Sequence, residues 1–380
     1  MNDPKSSLGE STPLVPPLYQ SSVYTLPDLD ALDRIMNAEA PGFIYARDGH
    51  PNARQLAAQL ATLEGADWAV ICGSGMAAIS AIVLATVQQG DRIVASNRLY
   101  GRTTQLFGAE LTRFGVQTTF VDCSDLQSVR TALEQPAKVL FVETMSNPLL
   151  RLVDVPALAE LARARDCLLI VDNTFATPVL TRPLELGAGV VMESLTKMIG
   201  GHGDVTLGLI GGRGELPLQV TAAVSIWGLA SNPFDCWLAE RGLATLPLRM
   251  RAASANAAAL ADWLGRQPAV ARVVYPGRPD HPDHELAKRL LRGGFGNMLC
   301  FELKDGRDGV NRFMRLATGI PFSPSLGATM TTLSHPGTTS HRYVSPAERR
   351  RQGIGDGLIR LSVGVEELGK IQEEMAKGLT

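Results

Sequence analysis

The chain reads as an α/β protein with a mixed central sheet and a smaller α/β C-terminal domain. Three observations predict this. Short, nearly unbroken apolar runs recur between helical patterns, around Val94, Thr119, Leu140, Ile170 and Val191. Such runs are what strands buried on both faces of a parallel sheet look like. An alanine-rich, glycine-free stretch at 252–264 reads as one long helix, and beyond Val270 short strands such as Met298–Leu303 alternate with helices.

In chain order, an N-terminal arm covers 1–49, a large domain 50–250, and a linker helix with a small C-terminal domain 251–380. The arm reads as polar. Cys72-Gly73-Ser74-Gly75-Met76 precedes the apolar run 77–87, so a glycine turn opens a helix there. A strand is expected at 205–210 and the last helix at 366–377. No internal repeat or low-complexity tract interrupts this order.

Composition narrows the class. At 380 residues the chain is long enough for two cores, and 45% hydrophobic with 19% charged residues is ordinary for a globular protein. A net charge of −2 gives no reason to expect nucleic-acid or membrane partners. The five cysteines are scattered without a Cys-x-x-Cys pair, which fits a reducing compartment, with Cys72 and Cys123 as core residues. A cytoplasmic location is the default, because no apolar run is long enough to span a bilayer. His281 and His284 form HPDH, but no complementary pair stands at zinc-site spacing, so an exposed Pro-rich loop is the better reading and no metal is expected.

The functional signal lies between Leu168 and Gly208. LLIVDN ends a strand at Asp172, and VVMESLTK brings Lys197 to the same edge. In open α/β sheets ligands bind at the carboxyl ends of strands. An acid and an amine arriving there together fit pyridoxal phosphate: a carboxylate favours the protonated ring nitrogen, and a lysine supplies an imine and then a free amine. Taken alone the pair also fits a strand-end salt bridge. The Gly73–Met76 turn could bind an anion through free N–H groups or simply cap a helix. Ser194 and Thr196 offer hydroxyls for the same phosphate.

Ten segments then stand in order: YARDGHPN from Tyr45, GSGMAA from Gly73, LYGRT from Leu99, ETMSNP from Glu143, DNTFATP from Asp172, SLTK from Ser194, GGHGD from Gly200, RGLATLPLRM from Arg241, SLG from Ser325 and IRLSVGVE from Ile359. With these the chain resembles the Cys/Met metabolism family of pyridoxal phosphate enzymes, which holds cystathionine γ-synthases, cystathionine lyases, methionine γ-lyases and O-acylhomoserine sulfhydrylases. The resemblance covers nearly the whole chain and implies an aspartate aminotransferase-like fold (fold type I).

Roles follow residue by residue as what the resemblance implies. Lys197 is similar to the Schiff-base lysine, Asp172 to the partner of the ring nitrogen, and Tyr100 to the aromatic that stacks on the ring and assists proton transfer. Gly75 and Met76 would bind the phosphate, with Ser194 and Thr196. Asn147 would lie near the phenolic oxygen, Arg360 would pair with the substrate α-carboxylate, and Ser325 would line the substrate pocket. Tyr45 and Arg47 would reach a neighbouring subunit's site, which implies a shared-site homotetramer, a dimer of dimers. Read without the motifs, Tyr100 is also an ordinary buried tyrosine, Arg360 a paired surface arginine, Asn147-Pro148 a turn, and Tyr45 and Arg47 loop residues.

The implied reaction is γ-elimination or γ-replacement on sulfur-containing or O-acylated homoserine-type amino acids, of the methionine γ-lyase or cystathionine γ-lyase kind. Cystathionine γ-synthase, O-acylhomoserine sulfhydrylase and cystathionine β-lyase are the alternatives, and an aminotransferase is a reading from another class. Members that handle cystathionine commonly carry a glutamate before SLG, where this chain has Pro324; after SLG it continues Ala328-Thr329-Met330-Thr331 instead of Glu-Ser or Glu-Thr. Both departures make the pocket less acidic and point away from a distal ammonium. Glu193 stands where histidine is usual, with no derivable effect.

Overall fold

The computed structural model describes residues 11–342 and 344–379, so the first ten residues of the expected arm lie outside the described residues. Seven strands form the large sheet: β1 (Trp68–Cys72), β2 (Arg92–Ser96), β3 (Gln117–Val121), β4 (Val139–Glu143), β5 (Leu168–Asp172), β6 (Val190–Ser194) and β7 (Gly208–Gly212). Their spatial order is β1-β7-β6-β5-β4-β2-β3. β3, β2, β4, β5 and β6 run parallel, while β7 is antiparallel to both β6 and β1. β1 therefore points the same way as β4, β5 and β6. The sheet is mixed, as expected.

Alternating side chains feed two separate cores. Phe141, Ile170 and Ile93 face the helix Gly75–Thr86, packing with its Ile79, Ile82 and Val83. Leu140, Val171 and Val94 face the other way, onto Val155, Leu158 and Ala162 of the helix Val155–Arg163. Phe107 meets Phe141 edge-on at 5.0 Å. Burying each such side chain is worth roughly 1.5–3 kcal/mol, so the two-sided sheet is a rigid platform for whatever its strand ends carry.

The second sheet is antiparallel throughout: β8 (Val270–Val274), β9 (Met298–Leu303), β10 (Thr332–Ser334) and β11 (Leu358–Ser362), in the order β10-β11-β9-β8. The helix Leu246–Leu264 ties it to the large sheet. Its first half buries Leu246 and Met250 against Leu195 and Met198, and its second half buries Ala257, Leu260 and Leu264 against Phe301 and Leu361. It begins before the expected 252 because Pro247 sits in its first turn, where a missing N–H costs nothing.

Two elements differ from expectation. The strand expected at 205–210 is β7, displaced to Gly208–Gly212, because Leu207 is held in the preceding loop by both its N–H and its carbonyl on Thr196 Oγ1. Gly211 and Gly212 hid its end. A Cβ at Gly208 would stand 2.2 Å from the Ser74 carbonyl oxygen, so close backbone approach dictates glycine there. β1 lies outside the expected strands; its first three residues are part-buried and its last two buried. The arm departs from its polar reading: it exposes Leu14, Val15, Leu18 and Val23. It is anchored by Tyr19 N donating to Asn52 Oδ1 (3.0 Å) and Trp237 Nε1 donating to the Pro16 carbonyl (3.0 Å).

Candidate active site

Parallel pairing puts the carboxyl ends of β4, β5 and β6 side by side. Glu143 is in register with Asp172, and Asp172 with Met192. A cavity of about 1150 Å³ opens at this edge. Gly75, Met76 and Tyr100 line it with Asn147 and Asp172, as do Ser194, Thr196, Lys197 and Arg360. Ser325 is reached through its hydroxyl, which accepts from Lys197 Nζ at 3.0 Å. Tyr45 and Arg47 are not brought to this cavity. They lie exposed elsewhere on the chain, with the Arg47 guanidinium 5.0 Å from the Tyr45 ring centre.

One end of the cavity is a helix start. Ser74 Oγ caps the helix by accepting from Ala77 N at 3.0 Å, while the N–H groups of Gly75 and Met76 meet no acceptor among the described residues. Glycine is required at 75, since a Cβ would lie 2.8 Å from Ser194 Cβ. Ser194 N donates to Thr174 Oγ1 (2.9 Å), which fixes the β6 end. Thr196 is more committed than expected: its hydroxyl donates to the Leu207 carbonyl at 3.2 Å and accepts from Leu207 N at 3.1 Å.

At the ring end, the Asp172 carboxylate accepts from Thr174 N at 2.9 Å, and burial pushes it up to about 6. Such an acid lacks a cation and is stabilised by one beside it. Lys197 is held below the usual lysine range, first by burial and then by the Arg360 charge, which favours the neutral amine. Tyr100 is 41% exposed, so it is no ordinary buried tyrosine; its backbone N–H donates to Glu143 Oε1 at 2.6 Å. These groups fit pyridoxal phosphate: free N–H groups at a glycine cradle, an uncompensated acid and a nearby amine.

Arg360 is the buried cation of the cavity. It lies in β11 with only 4% exposed, so it is no surface arginine. Nη1 donates to Asn147 Oδ1 (2.9 Å) and Nη2 to the Ser325 carbonyl (3.2 Å), while Nε meets no acceptor. Both partners are neutral, and burial pulls the guanidinium down to about 10. A buried cation without a counter-ion is a site prepared for an anion. Asn147 is thus joined to Arg360 as well as lining the cavity.

Several groups escaped the sequence reading. Glu143 lies within ETMSNP and holds Tyr100, yet nothing in the sequence marks it as buried. Arg102, Arg342, His341 and Gln352 also line the cavity, and only Arg102, inside LYGRT, had a signal to find. All five cysteines are free and buried. Burial pushes each thiol up to about 12, so none is a nucleophile at neutral pH. The HPDH loop is less open than expected, with His281 buried and accepting from Asp283 N, and His284 bonded to the Pro276 carbonyl. Among the described residues no helix is long and apolar enough to cross a membrane.

Comparisons with known proteins bear on the family of the chain. A family model described as Cys/Met metabolism PLP-dependent enzyme matches residues 3–380. An O-succinylhomoserine sulfhydrylase of Pseudomonas aeruginosa is 46% identical, over 90% of this chain and 84% of its own. An L-methionine gamma-lyase of Fusobacterium nucleatum subsp. polymorphum is 39% identical over 96% and 93%. The crystal structure of cystathionine gamma synthase from Xanthomonas oryzae pv. oryzae in complex with cystathionine superimposes with a TM-score of 0.91 at 36% identity, covering 96% of this chain and 92% of that one. The chain therefore belongs to the Cys/Met metabolism family of pyridoxal phosphate-dependent enzymes, and its fold is theirs.

Proposed function

We propose that the protein makes or breaks the bond at the γ-carbon of homoserine-type amino acids, and that its preferred substrate is an O-acylated homoserine with an anionic acyl tail. The observation that carries this is the charge layout of the cavity. Its acids, Glu143 and Asp172, sit at the strand ends, whereas Arg102 and Arg342 are exposed lining residues and Pro324 replaces an acid. An anionic tail gains there, and a distal ammonium gains nothing. The resemblance to an O-succinylhomoserine sulfhydrylase supports the same reading.

Bound pyridoxal phosphate supplies an electron sink for charge developing at the substrate α-carbon. Lys197 would hold the cofactor covalently, Asp172 its ring nitrogen, and the Gly75–Met76 turn with Ser194 and Thr196 its phosphate. Arg360 grips the α-carboxylate with its planar fork, and Asn147 and the Ser325 carbonyl keep that fork in place. Lys197, favoured as a neutral amine, takes the α-proton; the Ser325 hydroxyl, which accepts from Nζ, fixes its direction. Tyr100 covers the site and assists proton transfer.

Tyr45 and Arg47 are read as completing a neighbouring subunit's site within a homotetramer, which accords with their exposure and with the apolar Leu14, Val15 and Leu18 of the arm. The division into arm (1–49), large domain (50–250) and linker helix with small domain (251–380) is our reading, supported by the two sheets, and a cytoplasmic location is likewise our reading, supported by the five unpaired cysteines. The test is kcat/KM for O-succinylhomoserine, O-acetylhomoserine, methionine and cystathionine with a thiol present or absent. An exposed charge pair is worth about 0.2–1 kcal/mol, so Arg102→Met with Arg342→Met should cost the succinyl ester roughly twofold to thirtyfold and the acetyl ester little. Equal losses on both esters overturn the assignment.

A further inference from the structure

Behind the cofactor end of the sheet lies a pair of acids that the reaction leaves unused. Glu64 ends the helix Pro51–Glu64 and Glu193 is the penultimate residue of β6, and both side chains are completely buried. Their carboxyl groups are within hydrogen-bonding reach of each other. Glu193 Oε1 accepts from Asn173 Nδ2 at 3.1 Å, and Asn173 Oδ1 accepts in turn from Thr144 Oγ1 at 2.8 Å. Both Glu64 oxygens and Glu193 Oε2 find no ordinary donor. The charged groups facing Glu64 are Arg182, Glu185 and Glu193, and those facing Glu193 are Glu64 and Asp172. Arg182 is engaged by Glu185 at 2.9 Å, so no cation forms an ion pair with either acid among the described residues.

Two carboxylates in contact inside a dry core cannot both stay charged. A proton between them removes one charge and turns two orphaned oxygens into a donor and an acceptor. We infer that Glu64 and Glu193 share a proton in the folded protein at neutral pH, and that the pair is a positioning device: it orients Asn173 and spares Asp172 a second negative charge at its back. The second half rests on Asp172 being the acid beside the cofactor. Asn173 directly follows Asp172, and its N–H donates to the Met192 carbonyl at 2.9 Å, so a shift of this amide is transmitted to the end of β5.

The sign of the pH effect is fixed. Burial raises both carboxyls, Glu64 to about 7. A group raised by folding stabilises most below its unfolded value and loses that contribution as pH climbs to its folded value. Between roughly pH 4.5 and 7 the unfolded chain has released protons that the folded pair still holds, so the folding constant falls about tenfold per unit for each proton retained.

The experiment compares wild-type holoenzyme with Glu64→Gln, Glu193→Gln and Glu193→Ala. Urea midpoints are followed across this pH window, the infrared carbonyl stretch of a protonated acid in deuterated buffer, and the visible absorbance of bound cofactor against pH. The pair predicts a protonated-acid band in wild type that each Gln variant abolishes or diminishes, and a shallower pH slope in Glu64→Gln. Glu193→Gln, which keeps an acceptor for Asn173, should leave the cofactor's spectral midpoint close to wild type, while Glu193→Ala should move it. No protonated-acid band and equal pH slopes overturn the shared proton, even if Asp172 is placed correctly. A band that behaves as expected with a spectral midpoint unmoved in every variant overturns the positioning role alone.

Discussion

Replacing Arg360 by methionine separates what the arginine does for the fold from what it does for substrate. Burial lowers the guanidinium from 12.5 to about 10, which at about 1.4 kcal/mol per pH unit is a cost on the order of 3 kcal/mol for keeping it charged. Against this stand its hydrogen bonds to Asn147 and the Ser325 carbonyl, each worth about 1.5–3 kcal/mol for a charged donor. The two sides nearly cancel, so Arg360→Met should leave the amino-acid-free enzyme within roughly 2 kcal/mol of wild type. Catalysis has no such cancellation. Loss of a buried partner for a carboxylate costs about 2–5 kcal/mol, or roughly thirtyfold to several thousandfold in kcat/KM. Norleucine, which lacks a γ-leaving group, should raise the melting temperature of wild type and not of the variant; at a hundredfold excess over Kd the gain is about 2.7 kcal/mol. Arg360→Lys should fall between, because an ammonium keeps the charge but not the fork. A variant that unfolds many degrees early while keeping KM would refute the reasoning, since Arg360 would then be a structural tie.

The other predictions bear on the cofactor, the arm and the SLG turn. Borohydride reduction of the yellow holoenzyme should label Lys197, and Lys197→Ala should retain no covalent label; a label on another lysine defeats the assignment. Mixing inactive Lys197→Ala with inactive Arg47→Ala should restore part of the activity after subunit exchange, and its absence despite proven exchange would refute a shared site. Gly327 has φ +84°, and a Cβ there would lie 2.6 Å from Met198 N and 2.8 Å from the Lys197 carbonyl carbon. Gly327→Ala should therefore cost about 2–5 kcal/mol in stability, from left-handed strain and overpacking, and lower kcat more than it raises KM; an unchanged urea midpoint would contradict this. Pro324→Glu should shift kcat/KM toward cystathionine, and a wild-type preference for cystathionine unaltered by the substitution would rule out this role for position 324.

What was legible in the sequence was local. The strand ends at Asp172 and Ser194 could be read because a parallel strand buried on both faces leaves an apolar run that stops at a polar residue. The same rule found β7 but misplaced its ends, where glycines carry no side chains to form a pattern. Contacts across the chain were beyond any pattern: Arg360 meets Asn147 from 213 residues away, and Lys197 meets Ser325 from 128. Both groupings rested on resemblance to a family until the fold brought them together. Glu64 and Glu143 were invisible for another reason. Glutamate at a helix end, or after an apolar run, is ordinarily solvated, and only the packing of helix, β4 and β6 shows that neither is.

The acids and bases of this molecule are sorted by depth, and the sorting has a chemical consequence. Glu64, Glu143 and Glu193 are buried at or behind the strand ends with Asp172 among them, while Arg360 is buried on the opposite sheet. Were every acid ionised, Asp172 would face like charges from neighbouring strands and would be driven toward its neutral form, useless beside a protonated ring nitrogen. Burial raises the carboxyls of Glu143, Glu193 and Asp172, the last to about 6. A proton held on Glu143, or shared by Glu64 and Glu193, removes a like charge from the surroundings of Asp172. On this argument the buried glutamates contribute to the site by holding protons, and a carboxyl need not touch cofactor or substrate to decide which carboxyl ionises there.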